Sequence, residues 1–299
     1  MAIRDLDTAL LRTFLSLAET LSFSRTAERV GRSQPAVSGQ IRKLEELLGA
    51  PLFVRDTRTV RLTPEGERLR GEARAVVDAA QALIARFRAP DVEGEVRFGS
   101  PEDFATAHLP DVLAAFGEAF PRVRLTVTCE LTAPLITGFE AKAYDLIVIK
   151  QDPRDLHPGA RPLWRERLVW AAGPRLDRSL RFADHVAAWR ARDGAAPLVL
   201  SPDPCVYRRR AVAAMEAAGV PWRIGYTSPS LAGAAAAVKA GLGVTALPRD
   251  LARDGLHALD PALGWPPIAD AEICLLARSD ASPATQALAG FIEDSLGRA

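Results

Sequence analysis

Ala27-Glu28-Arg29-Val30-Gly31-Arg32-Ser33-Gln34-Pro35-Ala36-Val37-Ser38 decides how this chain begins. Two helices crossing at a steep angle need a small residue where they touch, a glycine in the turn and an apolar residue facing back to the core. Ala27, Gly31 and Val37 supply these at spacings of four and six. Ser33 is placed to cap the second helix, and Pro35 is tolerated in its first turn, where its missing N–H would have had no partner. Val37, Ile41, Leu44 and Leu48 form that helix's apolar face, and Gly49-Ala50-Pro51 ends it. Ser33, Gln34, Ser38 and Arg42 lie off that face. Gln can bond adenine bidentately, Arg can bond guanine or phosphate, and Pro35 offers apolar surface to a thymine methyl. This is the pattern of a helix-turn-helix that reads double-stranded DNA.

Upstream, Asp7 is a cap for a helix whose stripe is Leu10, Phe14, Leu17 and Leu21, and Ser24 is expected to cap the short helix that follows. Downstream, Leu52-Phe53-Val54-Arg55, Asp56-Thr57-Arg58 and Thr59-Val60-Arg61-Leu62 read as strand, turn and strand, a hairpin with basic residues on its tip and arms. Thr63-Pro64-Glu65 then starts a helix running to about Arg88. Leu69, Ala73, Val76, Val77, Ala80, Leu83, Ile84 and Phe87 form its seam. About 25 residues make a rod roughly 38 Å long. A twin helix from a second subunit is the economical cover for such a seam, and packing on the chain's own domain is the alternative. Ala89-Pro90-Asp91 closes the segment as a hinge.

From Val92 onward strands alternate with helices. Strands are expected at Val96–Ser100, Val123–Cys129, Leu146–Ile149, Leu168–Ala171, Leu198–Leu200, Ile224–Tyr226, Val244–Leu247 and Ile273–Leu276. Helices are expected at Leu109–Phe120, Ala133–Ala141, Tyr207–Ala218, Ser230–Ala240 and Pro283–Leu296. Such alternation predicts parallel α/β sheets, and about 200 residues suit two lobes. The chain therefore divides into 1–62, a winged helix-turn-helix; 63–91, a linker helix and hinge; and 92–299, an α/β body.

The composition is that of an ordinary soluble protein: 299 residues, 48% hydrophobic, 25% charged, net charge +1. Residues 1–90 carry +4 and the remainder −3, a mild polarity with the sign expected of an N-terminal nucleic-acid module. No stretch has the length and apolarity of a membrane span, and Arg4, Asp5 and Asp7 stand where a signal peptide needs apolar residues, so a cytoplasmic protein is expected. Cys129, Cys205 and Cys274 are too dispersed for a disulfide framework, and the four histidines have no zinc spacing. Neither metal nor cofactor is expected. With no Gly-x-Ser-x-Gly elbow and no phosphate-cradling glycine loop, an enzyme is not expected either.

Several motifs in register resemble one known family. Ala27–Val30, Ser33–Ser38, Ile41-Arg42-Lys43-Leu44-Glu45, Leu52–Arg55 and Leu62-Thr63-Pro64-Glu65-Gly66 look like the DNA-binding region of LysR-type transcriptional regulators. Leu109-Pro110, Phe116, Pro121, Tyr144–Val148, Ala240–Val244 and Leu247-Pro248 match that family's later landmarks in order, so the resemblance spans nearly the whole chain. It implies a winged helix, a dimerising linker helix and a two-lobed effector domain like periplasmic binding proteins. It also implies homodimers assembling into tetramers, interrupted inverted repeats in the DNA, and RNA polymerase as a further partner. By position, Ser33, Gln34, Pro35, Ser38 and Arg42 would face the groove, and Arg55 and Arg58 of the wing would meet phosphate or the minor groove.

Ligands of α/β sheets bind at the carboxyl ends of strands. Those ends, where the family's effector cleft also falls, carry Ser100-Pro101-Glu102, Cys129-Glu130 with Thr132 nearby, Lys150, and Ser201-Pro202. Ser100 and Ser201 are the expected hydrogen-bonding residues, and Lys150 suits an anionic ligand. Cys205 sits at the mouth of the cleft just before a helix, where a helix dipole favours thiolate, so a thiol or redox sensor is the alternative to an unknown small-molecule effector. A non-sensing DNA-binding protein is a third reading, one that leaves the α/β body without a purpose.

Overall fold

The computed structural model describes residues 6–55, 60–88 and 91–296. Helix α1 (Thr8–Thr20) starts where Asp7, extended, accepts a hydrogen bond from the Ala9 N–H. It ends at Leu21 in the left-handed region, φ 47°. That turn leaves Ser22 extended, and Ser22 rather than Ser24 caps α2 (Phe23–Arg29), its Oγ accepting from the Arg25 N–H. The cap thus comes two residues earlier than expected, because the left-handed turn at Leu21 ends α1 at once and leaves Ser22 extended. After the turn at Gly31, φ 61°, Ser33 caps α3 (Gln34–Leu48), which stops at Gly49, φ 70°. Strands β1 (Phe53–Arg55) and β2 (Val60–Leu62) pair antiparallel, Val54 opposite Arg61.

Helix α4 (Pro64–Arg88) begins with the Thr63 hydroxyl accepting from the Gly66 N–H. Gly66 is required there: any Cβ would run into the carbonyl of Leu52 at the root of the wing.

The body follows as β3 (Gly94–Ser100), α5 (Glu102–Ala107), α6 (Leu109–Ala119), β4 (Val123–Cys129), α7 (Thr132–Glu140), β5 (Leu146–Gln151) and β6 (Arg161–Glu166). Then come β7 (Leu168–Ala172), α8 (Phe182–Asp193), β8 (Ala196–Leu200), α9 (Val206–Ala217) and β9 (Trp222–Thr227). The chain ends with α10 (Leu231–Lys239), β10 (Thr245–Pro248), β11 (His257–Ala258), β12 (Ala271–Ala277) and α11 (Pro283–Leu296). One lobe is built on the sheet β4-β3-β5-β12-β6. The other holds β8 parallel to β9, and β7 between β10 and β11, with a bridge from Leu198 to Val244 joining the two sets.

The sheets are mixed, not parallel as expected. β3 and β5 run parallel, but β12 is antiparallel to both β5 and β6, and β7 is antiparallel to β10 and β11. Hydrophobic runs report burial, not direction, so strands returning from the far end of the chain look no different in sequence. Strand β6 and helices α5 and α8 were not anticipated. In α8 the buried Phe182, His185, Val186 and Trp189 are interleaved with Arg and Asp, which thins the apolar stripe.

Contacts divide the chain into two compact units. One comprises the described residues up to Gly94 with His108–Arg124 and the segment from Gln286; the other comprises Glu95–Ala107 and Leu125–Thr285. In the first unit the seam of α4 splits into two faces. Ala73 and Val77 join the core formed by Leu10, Phe14, Leu17, Val37, Ile41 and Leu44. Further along, α4 packs on α6, and Gln81 accepts a hydrogen bond from Ser295 of α11 at 2.9 Å. Val76, Leu83, Ile84 and Phe87 remain exposed on the other face, Phe87 to 83%.

Candidate functional site

The helix-turn-helix is held from behind. Val37, Ile41 and Leu44 are fully buried, and Ala27 is buried where α2 meets α3. Thr13 of α1 donates to Gln40 of α3 at 2.8 Å, which fixes the rotation of α3 about its axis. Glu45 accepts from the backbone N–H groups of Leu52 and Phe53, tying the end of α3 to the root of the wing. With the back face committed, Ser33, Gln34, Pro35 and Arg42 stand exposed on the front and Ser38 is half-buried. The Ser33 hydroxyl accepts from the Ala36 N–H as the helix cap, which leaves its proton for a further acceptor. Among the described residues Gln34 receives only a long 3.4 Å contact from the Ser24 hydroxyl, so its amide can be recruited by a base edge at little cost. Arg55 lies in β1 and Arg58 falls outside the described residues. Arg61, opposite Val54 in β2 and exposed, is a wing cation that had not been singled out; strict alternation along β2 would have found it.

The second unit contains a cavity of about 490 Å³. Six of the eight residues expected around a ligand line it: Pro101, Glu130, Thr132, Lys150, Ser201 and Cys205. Ser100 and Pro202 do not. Ser100 is fully buried with its hydroxyl bonded to the Pro101 carbonyl, because the last residue of a central strand still belongs to the sheet interior. Ser201 is half-buried, and its carbonyl accepts from Arg208. The Thr132 hydroxyl accepts from the Lys150 N–H at 3.1 Å.

Lys150 is not an uncommitted cation. It forms an ion pair with Asp103, and its ammonium lies 4.2 Å from the centre of the Tyr207 ring. Tyr207 in turn donates to Glu166. Burial pushes the Glu166 carboxyl up to about 7, with Lys150 pulling it down and Asp103 pushing it up. Burial and the facing carboxylates hold the Tyr207 phenol well above its usual 10. These contacts tie the lobes together, since Lys150 and Asp103 belong to one and Tyr207 to the other. Arg210 of α9 reaches Asp152 at 2.8 Å, and Glu102 accepts from the Ser230 hydroxyl and the Leu231 N–H at the start of α10. Sequence reasoning did not reach Asp103 or Glu166, whose partners lie more than 40 positions away, or Thr245, which joins the cavity wall from β10.

Cys129 and Cys205 both line the cavity. Burial, with Glu102 and Glu130 nearby, raises the Cys129 thiol and disfavours its thiolate. Cys274 is buried, its thiol pushed up to about 12. Among the described residues no cluster of His, Cys, Asp and Glu could hold a metal ion, and no helix is long and apolar enough to cross a membrane.

Residues 8–67 match the family of bacterial regulatory helix-turn-helix proteins of the lysR type, and residues 90–297 match the LysR substrate binding domain. The HTH-type transcriptional regulator DgdR of Burkholderia cepacia is 36% identical over 83% of this chain and 82% of its own. A protein of Mycobacterium avium named "Probable hydrogen peroxide-inducible genes activator" is 34% identical over 80% of this chain and 76% of its own. A crystal structure of a LysR family transcriptional regulator from Pseudomonas aeruginosa, 21% identical, shares the fold with a TM-score of 0.55, covering 98% of this chain and all of that one. Helix-turn-helix, wing, linker helix and two-lobed body thus occur in one chain in the family's order, and the chain belongs to the LysR family of bacterial transcriptional regulators.

Proposed function

We propose that the protein regulates transcription by reading a two-fold DNA site with paired α3 helices, and that a small molecule in the cavity of the second unit sets how it does so. One observation carries the first half: the front face of α3 holds Gln34, Pro35 and Arg42 in solvent while the back face is fully buried. Such a helix is positioned by packing and free to make base contacts. Pairing follows from the exposed face of α4. Val76, Leu83, Ile84 and Phe87 recur at seven, one and three residues, a stripe that an equivalent helix can cover. The cavity, within a LysR substrate binding domain, supports the second half. Footprinting on DNA upstream of the protein's own gene, with and without candidate ligands, tests the proposal. The expected result is a protected site with two-fold symmetry whose length changes with ligand; an unstructured footprint indifferent to every ligand rejects it.

A second reading rests on the two thiols in one cavity. Cys205 would be oxidised or alkylated and the lobes would respond. The Mycobacterium avium relative bears a name that fits such a role. The burial and, after it, the neighbouring Glu102 and Glu130 that raise the Cys129 thiol weigh against it. Failure of a thiol reagent to modify Cys205 in the folded protein ends this reading.

A further inference from the structure

We propose that the cavity takes a small zwitterion, a free α-amino acid with a compact apolar side chain. The inference rests on the cavity being the effector site and names the class of effector.

The polar groups of the wall divide into those already matched and those left over. Both cations are matched: Lys150 by Asp103 and the Tyr207 ring, and Arg208 by the Ser201 carbonyl at 3.0 Å and by Asp203. Glu102 is matched by Ser230 and Leu231. Three features are left over. Thr245 is only 6% exposed and lines the cavity, yet its hydroxyl has no hydrogen bond among the described residues. The hydroxyl therefore stands open to the cavity, where a ligand or water can bond it. The first turns of α7 and α9 also line the cavity, and neither has a side-chain cap, since Leu131 and Cys205 occupy the cap positions. Their N–H groups suit a carboxylate. Glu130, last, is an exposed carboxylate at the rim of the cavity whose oxygens accept no hydrogen bond among the described residues, and it suits an ammonium.

The charge balance agrees. Glu102, Asp103 and Glu130 outnumber Lys150 and Arg208 by one, so a bare anion meets a net negative wall, while a ligand that brings its own cation does not. Much of the rest of the wall is apolar, with Leu200, Val206, Leu231, Ala234, Leu247 and Leu256, beside Ser201, Thr132 and the thiols of Cys129 and Cys205. A volume of about 490 Å³ lies in the lower part of the range usual for ligand sites and suits a compact molecule.

The test uses the full-length protein, with the twenty common α-amino acids screened by thermal shift and calorimetry. The best binder is then compared with its two halves, the acid lacking the amine and the amine lacking the carboxylate. The expected result is that at least one amino acid binds and each half binds at least about tenfold more weakly, the loss of one charge-assisted contact. Glu130→Gln should weaken the amino acid about tenfold and leave the des-amino acid within about twofold. Thr245→Val, nearly isosteric, should weaken the amino acid as well. If no amino acid binds, or either half binds as tightly as the whole, the zwitterion is wrong. A half-ligand whose binding is nonetheless lost in Thr245→Val keeps the cavity as the effector site. An amino acid whose binding neither substitution touches overturns the cavity reading itself.

Discussion

On α3, Gln34 and Arg42 stand in solvent above a back face of Val37, Ile41 and Leu44, whereas at the cavity buried Lys150 and half-buried Asp103 and Tyr207 are bonded to one another and, through Tyr207, to the buried Glu166. Both regions are proposed to bind something, but under different solvents. A DNA-reading surface gains by keeping its polar groups uncommitted, because water holds them cheaply until a base edge or phosphate arrives. A cavity wall cannot do this: an unmatched charge out of water costs several kcal/mol, so its charges are matched within the protein beforehand. What stays unmatched in a cavity is therefore informative, while an unmatched group on α3 is merely ordinary.

The largest effect expected from breaking this contrast is at Ile41. Ile41→Ala leaves a hole behind α3 and should cost the first unit about 2–5 kcal/mol. DNA binding should fall with it while ligand binding in the second unit persists; calorimetry and ligand titration on the same variant separate the two. Next in size is the pH response of the cavity. With Glu166 held up at about 7 against an ordinary 4.5, the folded chain keeps a proton that the unfolded chain has released. This group's contribution to stability is therefore full below 4.5 and is lost as pH rises through about 7. Glu166→Gln should flatten melting temperature across that window. Asp78 of α4, buried with both carboxylate oxygens unbonded and raised from 3.8 to about 6, gives the first unit a fall of the same sign at lower pH, which Asp78→Asn should remove. The smallest effect belongs to the wing. Arg61→Ala should weaken cognate and random DNA alike and reduce the salt dependence by about one phosphate contact.

The same contrast explains what the sequence disclosed. Ala27, Gly31, Val37 and the stripe to Leu44 lie within some 20 residues, and a helical period with its caps is a local property that packing then respected, although Leu48, the last expected member of the stripe, is exposed. Even there the cap of α2 slipped from Ser24 to Ser22, because the exit of α1 through Leu21 is a matter of backbone conformation, not residue type. The seam of α4 was visible as periodicity, but not its division between Val77, facing the core, and Val76, facing solvent, since adjacent apolar residues blur a face about 100° wide. In the body, strand ends pointed to Thr132, Lys150 and Cys205. They did not foretell that Asp103 would neutralise Lys150, or that Thr245 would lie unpartnered in the same wall, because both follow from pairings between distant segments.

The most direct test of the account is the binding of Gln34→Ala to cognate and random DNA, measured by fluorescence anisotropy at one fixed salt concentration. The expected result is a loss of about 1–3 kcal/mol on the cognate site, one bidentate base contact, with affinity for random DNA almost unchanged. An equal loss on both would mean that the exposed face of α3 holds the backbone and does not read the sequence.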